Sequence, residues 1–236
     1  MRSAFKMLVG IAVAVGCLLP AVAWAQTAPG GLDTTLNQMD TAAKKFTTTE
    51  ANLIWDEYQK VVNEHELKKG KIYFRREGAE VQMAVDFTEP DKQSLRYSGG
   101  KLQVYLPKAD EVNEYTAGKN RADMESYLVL GFGARGHDLL KLYDVKFLGL
   151  ETANGVKAEK LELIPKSDRL RNDYIERILL WIDPARGISV QQQFFQPGGS
   201  DYRLATYSDI KIDQKLPDDA FKLKTTKKTK FVPPPG

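Results

Sequence analysis

The residues that could do chemistry are few in this sequence, and the most obvious are the neighbours His137 and Asp138. A histidine beside an aspartate can belong to a catalytic relay, in which the histidine takes a proton from a serine nucleophile. Such a serine often sits in a Gly-x-Ser-x-Gly elbow, and the sequence contains no such elbow. Asp138 also suits the ordinary role of a cap for a helix that begins after Gly136. We therefore predict no catalytic residue here.

Three glycines just before this pair have the spacing of a dinucleotide-binding motif: Gly131, Gly133 and Gly136. That motif binds a pyrophosphate only when a strand precedes it and a helix follows it. Here a helix-like segment precedes the first glycine. We therefore predict no cofactor, and interpret the glycines as a flexible break between two helices.

Metal ligands are also scarce. The run Glu64-His65-Glu66 offers three ligand types, but adjacent residues of a strand point to alternate faces, so the run is interpreted as surface charge. The chain has two histidines and one cysteine, Cys17. These numbers exclude a three-histidine zinc site and an intrachain disulfide. We predict no metal.

The composition defines a globular protein. The chain has 236 residues, of which 42% are hydrophobic, enough for a packed core. Its formal charge of +3 is too balanced for a dedicated nucleic-acid binder, so no nucleic-acid partner is expected.

The first 25 residues have the pattern of a secretory signal peptide. Arg2 and Lys6 precede an uncharged apolar run over residues 7–19, and Ala23-Trp24-Ala25 presents small residues at the cleavage positions. Cleavage after Ala25 would export residues 26–236, expected to form a single domain, to the periplasm. A less favoured alternative is a lipid anchor on Cys17, in the sequence Ala14-Val15-Gly16-Cys17.

An amphipathic helix is predicted to open the exported chain. Asp33 is its expected cap, and its apolar residues recur at steps of three and four, which places them on one face: Leu32, Leu36, Met39, Ala43 and Phe46. From residue 51 the hydrophobic period changes to two, which is typical of strands. Residues 167–172 are interpreted as a polar connection, and the basic tail from about residue 222, which ends in three prolines, as a solvated terminus.

We count ten or eleven strands in consecutive hairpins, among them one turned at Asn154-Gly155, the strongest two-residue hairpin signal in the chain. The fold predicted is mainly β: a single curved antiparallel sheet that forms an open half-barrel with a helical lid on its concave side. The alternating apolar positions of two strands are the candidates for lining a lipid cavity: Val81, Met83, Val85, Phe87, Leu102, Val104 and Leu106. A fully packed core without a cavity is the alternative.

Residues 124–143 interrupt the strand pattern and are the predicted lid. This segment is too apolar to lie in water, yet its glycines weaken any helix it forms. Its apolar candidates for covering the sheet are Met124, Tyr127, Leu128, Phe132, Leu139 and Leu140.

The order of these elements resembles that of the periplasmic outer-membrane lipoprotein carriers, the LolA-like superfamily. The resemblance covers roughly residues 33–224, and its motifs are patterns of moderate specificity. They lie at residues 58–62, 69–76, 87–90, 97–107, 130–139, 181–184 and 207–210.

The resemblance implies a carrier that holds lipoprotein acyl chains, or a related acylated lipid, in its half-barrel and takes them towards the outer membrane. Its partners would be the lipid-modified protein and transport components of the two membranes, and we expect a monomer. The family's best-studied members use an inner-strand arginine to hold the lid. Arg75, Arg76 and Arg96 are all open candidates for that role here. Two alternatives remain: a lipoprotein-sensing module that acts through a membrane protein, and a periplasmic hydrolase using His137.

Overall fold

The computed structural model describes residues 30–78, 80–116, 127–217 and 219–233. The predicted signal peptide and the alternative anchor at Cys17 therefore lie outside the described residues, as does the lid candidate Met124. Three helices and twelve strands follow one another in the described part: α1 Leu32–Lys45, β1 Thr48–Gln59, β2 Glu64–Glu77, β3 Glu80–Glu89, β4 Gln93–Ser98, β5 Lys101–Leu106, β6 Glu111–Thr116, α2 Gly136–Leu142, β7 Tyr143–Ala153, β8 Val156–Pro165, α3 Asp168–Asp173, β9 Arg177–Asp183, β10 Ile188–Phe195, β11 Tyr202–Ile212 and β12 Lys230–Val232.

All twelve strands belong to one sheet, in the order β12-β6-β5-β4-β3-β2-β1-β11-β10-β9-β8-β7. Every pair is antiparallel except the pair of β12 with β6. The long strand β1 lies near the middle of the sheet and pairs with β2 on one side and β11 on the other. The two ends of the sheet, β12 and β7, do not pair with each other, so the sheet stays open. The predicted fold class is confirmed.

Tight turns join the two strands of a hairpin at glycine and asparagine residues, which can adopt positive φ angles. Asn154 and Gly155 have φ angles of 47° and 75° and join β7 to β8, as the sequence predicted. Positive φ at both central residues is what a two-residue hairpin of this type requires. Gly99 and Gly100, at 61° and 76°, do the same between β4 and β5.

One face of the sheet, here called the inner face, is covered by α1 and by the described part of the predicted lid, residues 127–142, here called the lid segment. Leu36 and Met39 of α1 are 0% and 1% exposed and pack on β8, β9 and β10. Phe46, just after α1, packs instead on β1, β2 and β3. The predicted apolar face of this helix is therefore the buried one.

The predicted caps of two helices were wrong. Gly31 is the N-cap of α1, and Asp33 lies inside the first turn. Arg135 is the N-cap of α2, and Asp138 again lies in the first turn. An acidic residue there is still favourable, because the amino end of a helix carries partial positive charge.

Three further differences concern short or terminal elements. Residues 167–172, expected to be an irregular connection, contain most of α3, whose Ser167 cap accepts a hydrogen bond from the Leu170 amide. The basic tail is largely exposed, as expected of a solvated terminus, but it contains β12, which pairs with β6. The hydroxyls of Thr226 and Thr229 both bond to Asp110, just before β6, and this contact between distant residues escapes periodicity analysis. Val61 and Val62, whose β-branched side chains favour a strand, lie exposed in the β1–β2 turn instead.

Candidate functional site

The cavity candidates of β3 lie on the inner face. Met83, Val85 and Phe87 are 5%, 4% and 7% exposed, and the partly buried Val81 packs against the same cluster. The intervening Gln82 points to the opposite, outer face, where it accepts hydrogen bonds from Arg75. The alternation read from the sequence therefore corresponds to the two faces of the strand.

The candidates of β5 continue this surface with less burial. Leu102 lies opposite Tyr97 of β4, and Val104 lies opposite Leu95. Met83 is the partner of Tyr97 on the other side, so apolar side chains run across β3, β4 and β5 in register. Leu106, two residues beyond Val104, shares its face and is half-buried.

The lid segment fills the centre of the inner face. Phe132 is fully buried, its ring stacked on Phe74 at 4.4 Å between centroids and set edge-on to Tyr207 at 4.8 Å. Leu130, at 1% exposure, packs with the other half of the core, on α1, β8 and β9. The loop therefore touches both halves of the inner face.

The remaining lid candidates have different environments. Leu139 of α2 is 3% exposed and joins the core under α1. Tyr127 and Leu128 are partly buried against the two halves of the core. Leu140, in contrast, is 37% exposed and points away from the sheet. Its predicted covering role does not fit this position.

Hydrogen bonds from the sheet hold the backbone carbonyls of the lid segment. The Arg76 guanidinium of β2 donates to the Gly133 oxygen at 2.5 Å. The Gln192 amide of β10 donates to the Leu130 oxygen at 2.5 Å, and the Ser189 backbone N–H donates to the Gly131 oxygen at 3.0 Å. Three carbonyls within four residues are thus bonded to the sheet.

Gln192 is itself positioned by a neighbour. Its side chain is 4% exposed, and its Oε1 accepts a hydrogen bond from the Tyr207 hydroxyl at 3.1 Å. Because the amide donates to Leu130 and accepts from Tyr207, both ends of the buried group are used. Neither Gln192 nor Tyr207 was predicted from the sequence as part of the site, and a polar residue inside a strand carries no signal for such a contact.

Of the three candidate arginines, only Arg76 faces the lid segment. Arg75, next to it on β2, faces outward, as does Arg96, whose guanidinium binds the Asp86 carboxylate at 2.9 and 3.1 Å. Arg76 lies 5.8 Å from the centre of the Phe46 ring, and its Nε is buried without a hydrogen-bond partner. Burial, together with the nearby charge of Arg135, lowers the pKa of Arg76.

The three glycines of the lid segment permit close packing. A Cβ on Gly131 would lie 2.5 Å from the Ser189 Cβ, and one on Gly133 would lie 2.6 Å from the Phe46 ring. Both glycines have positive φ, near 76° and 75°. A Cβ on Gly136 would lie 2.3 Å from a backbone oxygen of α1. The spacing that resembles a nucleotide motif thus lets the segment approach the sheet and α1.

His137 links α2 to α1. Its Nδ1 lies 2.6 Å from Asp40 Oδ2, and its backbone N–H donates to the other oxygen at 3.2 Å. Burial tends to raise the pKa of Asp40, but the hydrogen bonds and charge of His137 outweigh it, so the pKa is lowered. The other histidine, His65, bonds to Asp56 and packs on the Tyr58 ring. Across the described ranges no three potential metal ligands come together.

No helix in the described part of the chain combines the length and the apolar character needed to cross a bilayer.

The described residues form one open sheet. Its inner face is covered by a helix and by a segment whose backbone carbonyls are hydrogen-bonded to the sheet. An open sheet with a covered face is the architecture that the sequence resemblance implied. Residues 79–229 match a family model described as "Uncharacterized protein", and since this match covers more than half of the chain, the protein belongs to that family.

Solved structures are similar to this chain at low sequence identity, and the first two named here share its fold. An uncharacterized conserved protein from Thermus thermophilus is 12% identical with a TM-score of 0.54, over 86% of this chain and 98% of its own. MucB is 15% identical with a TM-score of 0.51, over 83% of this chain and only 64% of MucB. A LolA superfamily protein from Nitrosomonas europaea is 16% identical with a TM-score of 0.41, over 82% of this chain and 98% of its own. The curated proteins gave no match.

Proposed function

We propose that the protein is an exported, non-enzymatic carrier that binds the acyl chains of lipoproteins, or of a related acylated lipid, on its inner face beneath the lid segment. The predicted signal peptide would deliver it to the periplasm after cleavage at Ala25. Its proposed partners are the acylated cargo and transport components of the two membranes.

The lid segment carries this proposal. Leu130 and Phe132 occupy the apolar inner face, while Arg76, Gln192 and Ser189 hold the backbone of the same loop. Each of these contacts is non-covalent and within one short loop, so the loop can leave without disturbing the sheet. Once it leaves, the side chains it covered need another apolar partner.

An acyl chain is a suitable replacement. Removing one methylene from water is worth about 0.8 kcal/mol, so a long acyl chain gains on the order of 10 kcal/mol when it is covered. The exposed lid side chains subtract from that gain, because burial of one large apolar side chain is worth about 1.5–3 kcal/mol. The balance still favours uptake of a chain of more than a few carbons.

The fold shared with MucB supports a second candidate, a lipoprotein-sensing module that acts through a membrane protein. MucB from Pseudomonas aeruginosa has been crystallised with MucA. This chain corresponds to 64% of MucB, so the parallel extends to part of that protein only. A sensor would form a stable stoichiometric complex with its partner, whereas a carrier would release its cargo.

Native mass spectrometry of protein purified without detergent tests the proposal. We expect a mass increment that disappears on organic extraction and that fragments as an acylated lipid or a lipopeptide. The matched control is a variant with the inner face blocked, Met83→Arg, which should lose the increment if it folds. Ligand-free protein that also binds no added lipopeptide would contradict the carrier function.

A further inference from the structure

One end of the inner face is charged. Along β1 the inner-face positions run from Leu53 through Trp55 to Glu57. Trp55 lies opposite Lys68 of β2 and Ala205 of β11, and Glu57 lies opposite Arg203 of β11. Glu66 of β2 lies opposite Glu57 on the other side, so the apolar surface ends at four charged side chains: Glu57, Glu66, Lys68 and Arg203.

Three aromatic rings mark the boundary between the two regions. Trp55 stacks on Phe194 with ring centroids 6.4 Å apart, and Tyr127 of the lid segment meets Phe194 edge-on at 4.9 Å. The Trp55 indole N–H donates to Glu57 at 2.8 Å. Apolar rings and charged groups thus adjoin at one end of the surface proposed for acyl chains, which is the arrangement an amphiphile requires.

The charged groups are only loosely paired with one another. Glu57 Oε1 lies 3.8 Å from Lys68 and 3.9 Å from Arg203, so one carboxylate stands between two cations. Lys68 has a closer carboxylate in Glu66, at 3.2 Å. Within the described ranges, Arg203 has no carboxylate nearer than Glu57. The contact at 3.9 Å is longer than a hydrogen bond.

Arg203 therefore retains hydrogen-bonding capacity. Its Nε is buried without a hydrogen-bond partner, although the side chain as a whole is 39% exposed. A buried donor without an acceptor is unfavourable, so the site gains when an acceptor arrives. Burial raises the pKa of the Tyr127 hydroxyl in the lid segment, and the nearby charge of Arg203 opposes that rise. Movement of that segment would take the Tyr127 hydroxyl away from Arg203.

We propose that Arg203 binds the anionic head group of the acylated ligand, so that the cargo is an amphiphile with a phosphate or carboxylate head rather than a neutral lipid. The inference rests on the proposed acyl-binding function. The planar guanidinium matches two oxygens of either group, and bonds between charged partners are shorter and stronger than neutral ones.

Three probes with the same acyl chain test the head group: 1-palmitoylglycerol 3-phosphate, palmitate and the neutral 1-palmitoylglycerol. Their affinities are measured below the micelle concentration by displacement of a fluorescent fatty-acid analogue. One charged hydrogen bond predicts about tenfold tighter binding of at least one anionic probe than of the neutral one. Arg203→Gln should reduce that preference to less than about threefold, whereas Arg203→Lys should retain part of it.

Arg177→Gln is the matched control, because it removes the same charge from the outer face, where Arg177 lies 3.9 Å from the centre of the Phe195 ring. It should leave the preference intact. Equal binding of all probes by the wild type, or a preference that persists in folded Arg203→Gln, would overturn the inference and leave the carrier function standing. Failure of all three probes to bind would overturn both.

Discussion

Arg76 of β2 donates a hydrogen bond to the backbone oxygen of Gly133, and thereby joins the middle of the sheet to the lid segment. The residue before it, Arg75, carries the same charge but faces the other side of the sheet. Two adjacent arginines thus provide a test and its control.

Replacing Arg76 should loosen the lid segment. In Arg76→Gln we expect amides of residues 130–135 to exchange about tenfold faster or more, since a hydrogen bond from a charged group is worth about 1.5–3 kcal/mol. Apparent affinity for a lipopeptide should rise, because less energy is needed to displace the lid. Arg75→Gln should change neither quantity. Equal effects of the two variants would show that net charge, and not the bond to Gly133, is responsible.

The position of this bond shows what sequence reasoning can reach. The alternation of Val81 to Phe87 is local, so the inner face of β3 could be predicted. The choice of Arg76 over Arg75 needs the register of β2 against β1 together with the location of Gly133, 57 residues further along the chain. The contact of Gln192 with Leu130 spans 62 residues, and a register shift between Ser189 and Gln191 interrupts the alternation of β10 just before it.

Crosslinking tests which face of β3 meets the ligand. A photo-reactive side chain at Met83, 5% exposed on the inner face, should capture an acylated peptide. The same group at Gln82, on the outer face beside Arg75, should capture little. The products are measured by intact mass. Equal capture at both positions would contradict the assignment of the ligand to the inner face.

The contact of Asp40 with His137 should respond to acid. The folded state lowers the pKa of Asp40, so the carboxylate adds stability above its unfolded pKa, and this contribution is lost as pH falls through the lower folded value. Asp40→Asn should therefore be less stable than the wild type near neutral pH, and the difference should shrink below about pH 4. Urea unfolding at several pH values measures it. A difference that is constant with pH would disprove the ionic contribution.

His137 also tests the hydrolase alternative. The His137 ring bonds to Asp40 and so links α2 to α1. His137→Ala should therefore weaken that contact, and no enzymatic activity should be lost. Wild type and variant are assayed with acyl esters of several chain lengths, and neither should hydrolyse them faster than buffer without protein does. Hydrolysis by the wild type that disappears in a folded His137→Ala protein would overturn the carrier function.

The lid segment should be the part of the inner face that moves, and hydrogen exchange measures this directly. Strand β9 is hydrogen-bonded to β8 on one side and to β10 on the other, so its amides exchange only when the sheet opens. The lid segment, in contrast, is held to the sheet by Arg76, Gln192 and Ser189 and by burial of a few side chains.

Loss of those few contacts costs less free energy than opening the sheet, so residues 127–142 should exchange faster than β9 in the ligand-free protein. A lipopeptide that displaces the segment should then alter its protection and leave β9 unchanged. Arg177→Gln serves as a control, because Arg177 lies on the outer face against Phe195 and its loss should keep the ligand-free pattern. Protection of residues 127–142 equal to that of β9, and indifferent to lipopeptide, would mean that the segment is permanent core, and ligand uptake would need another route.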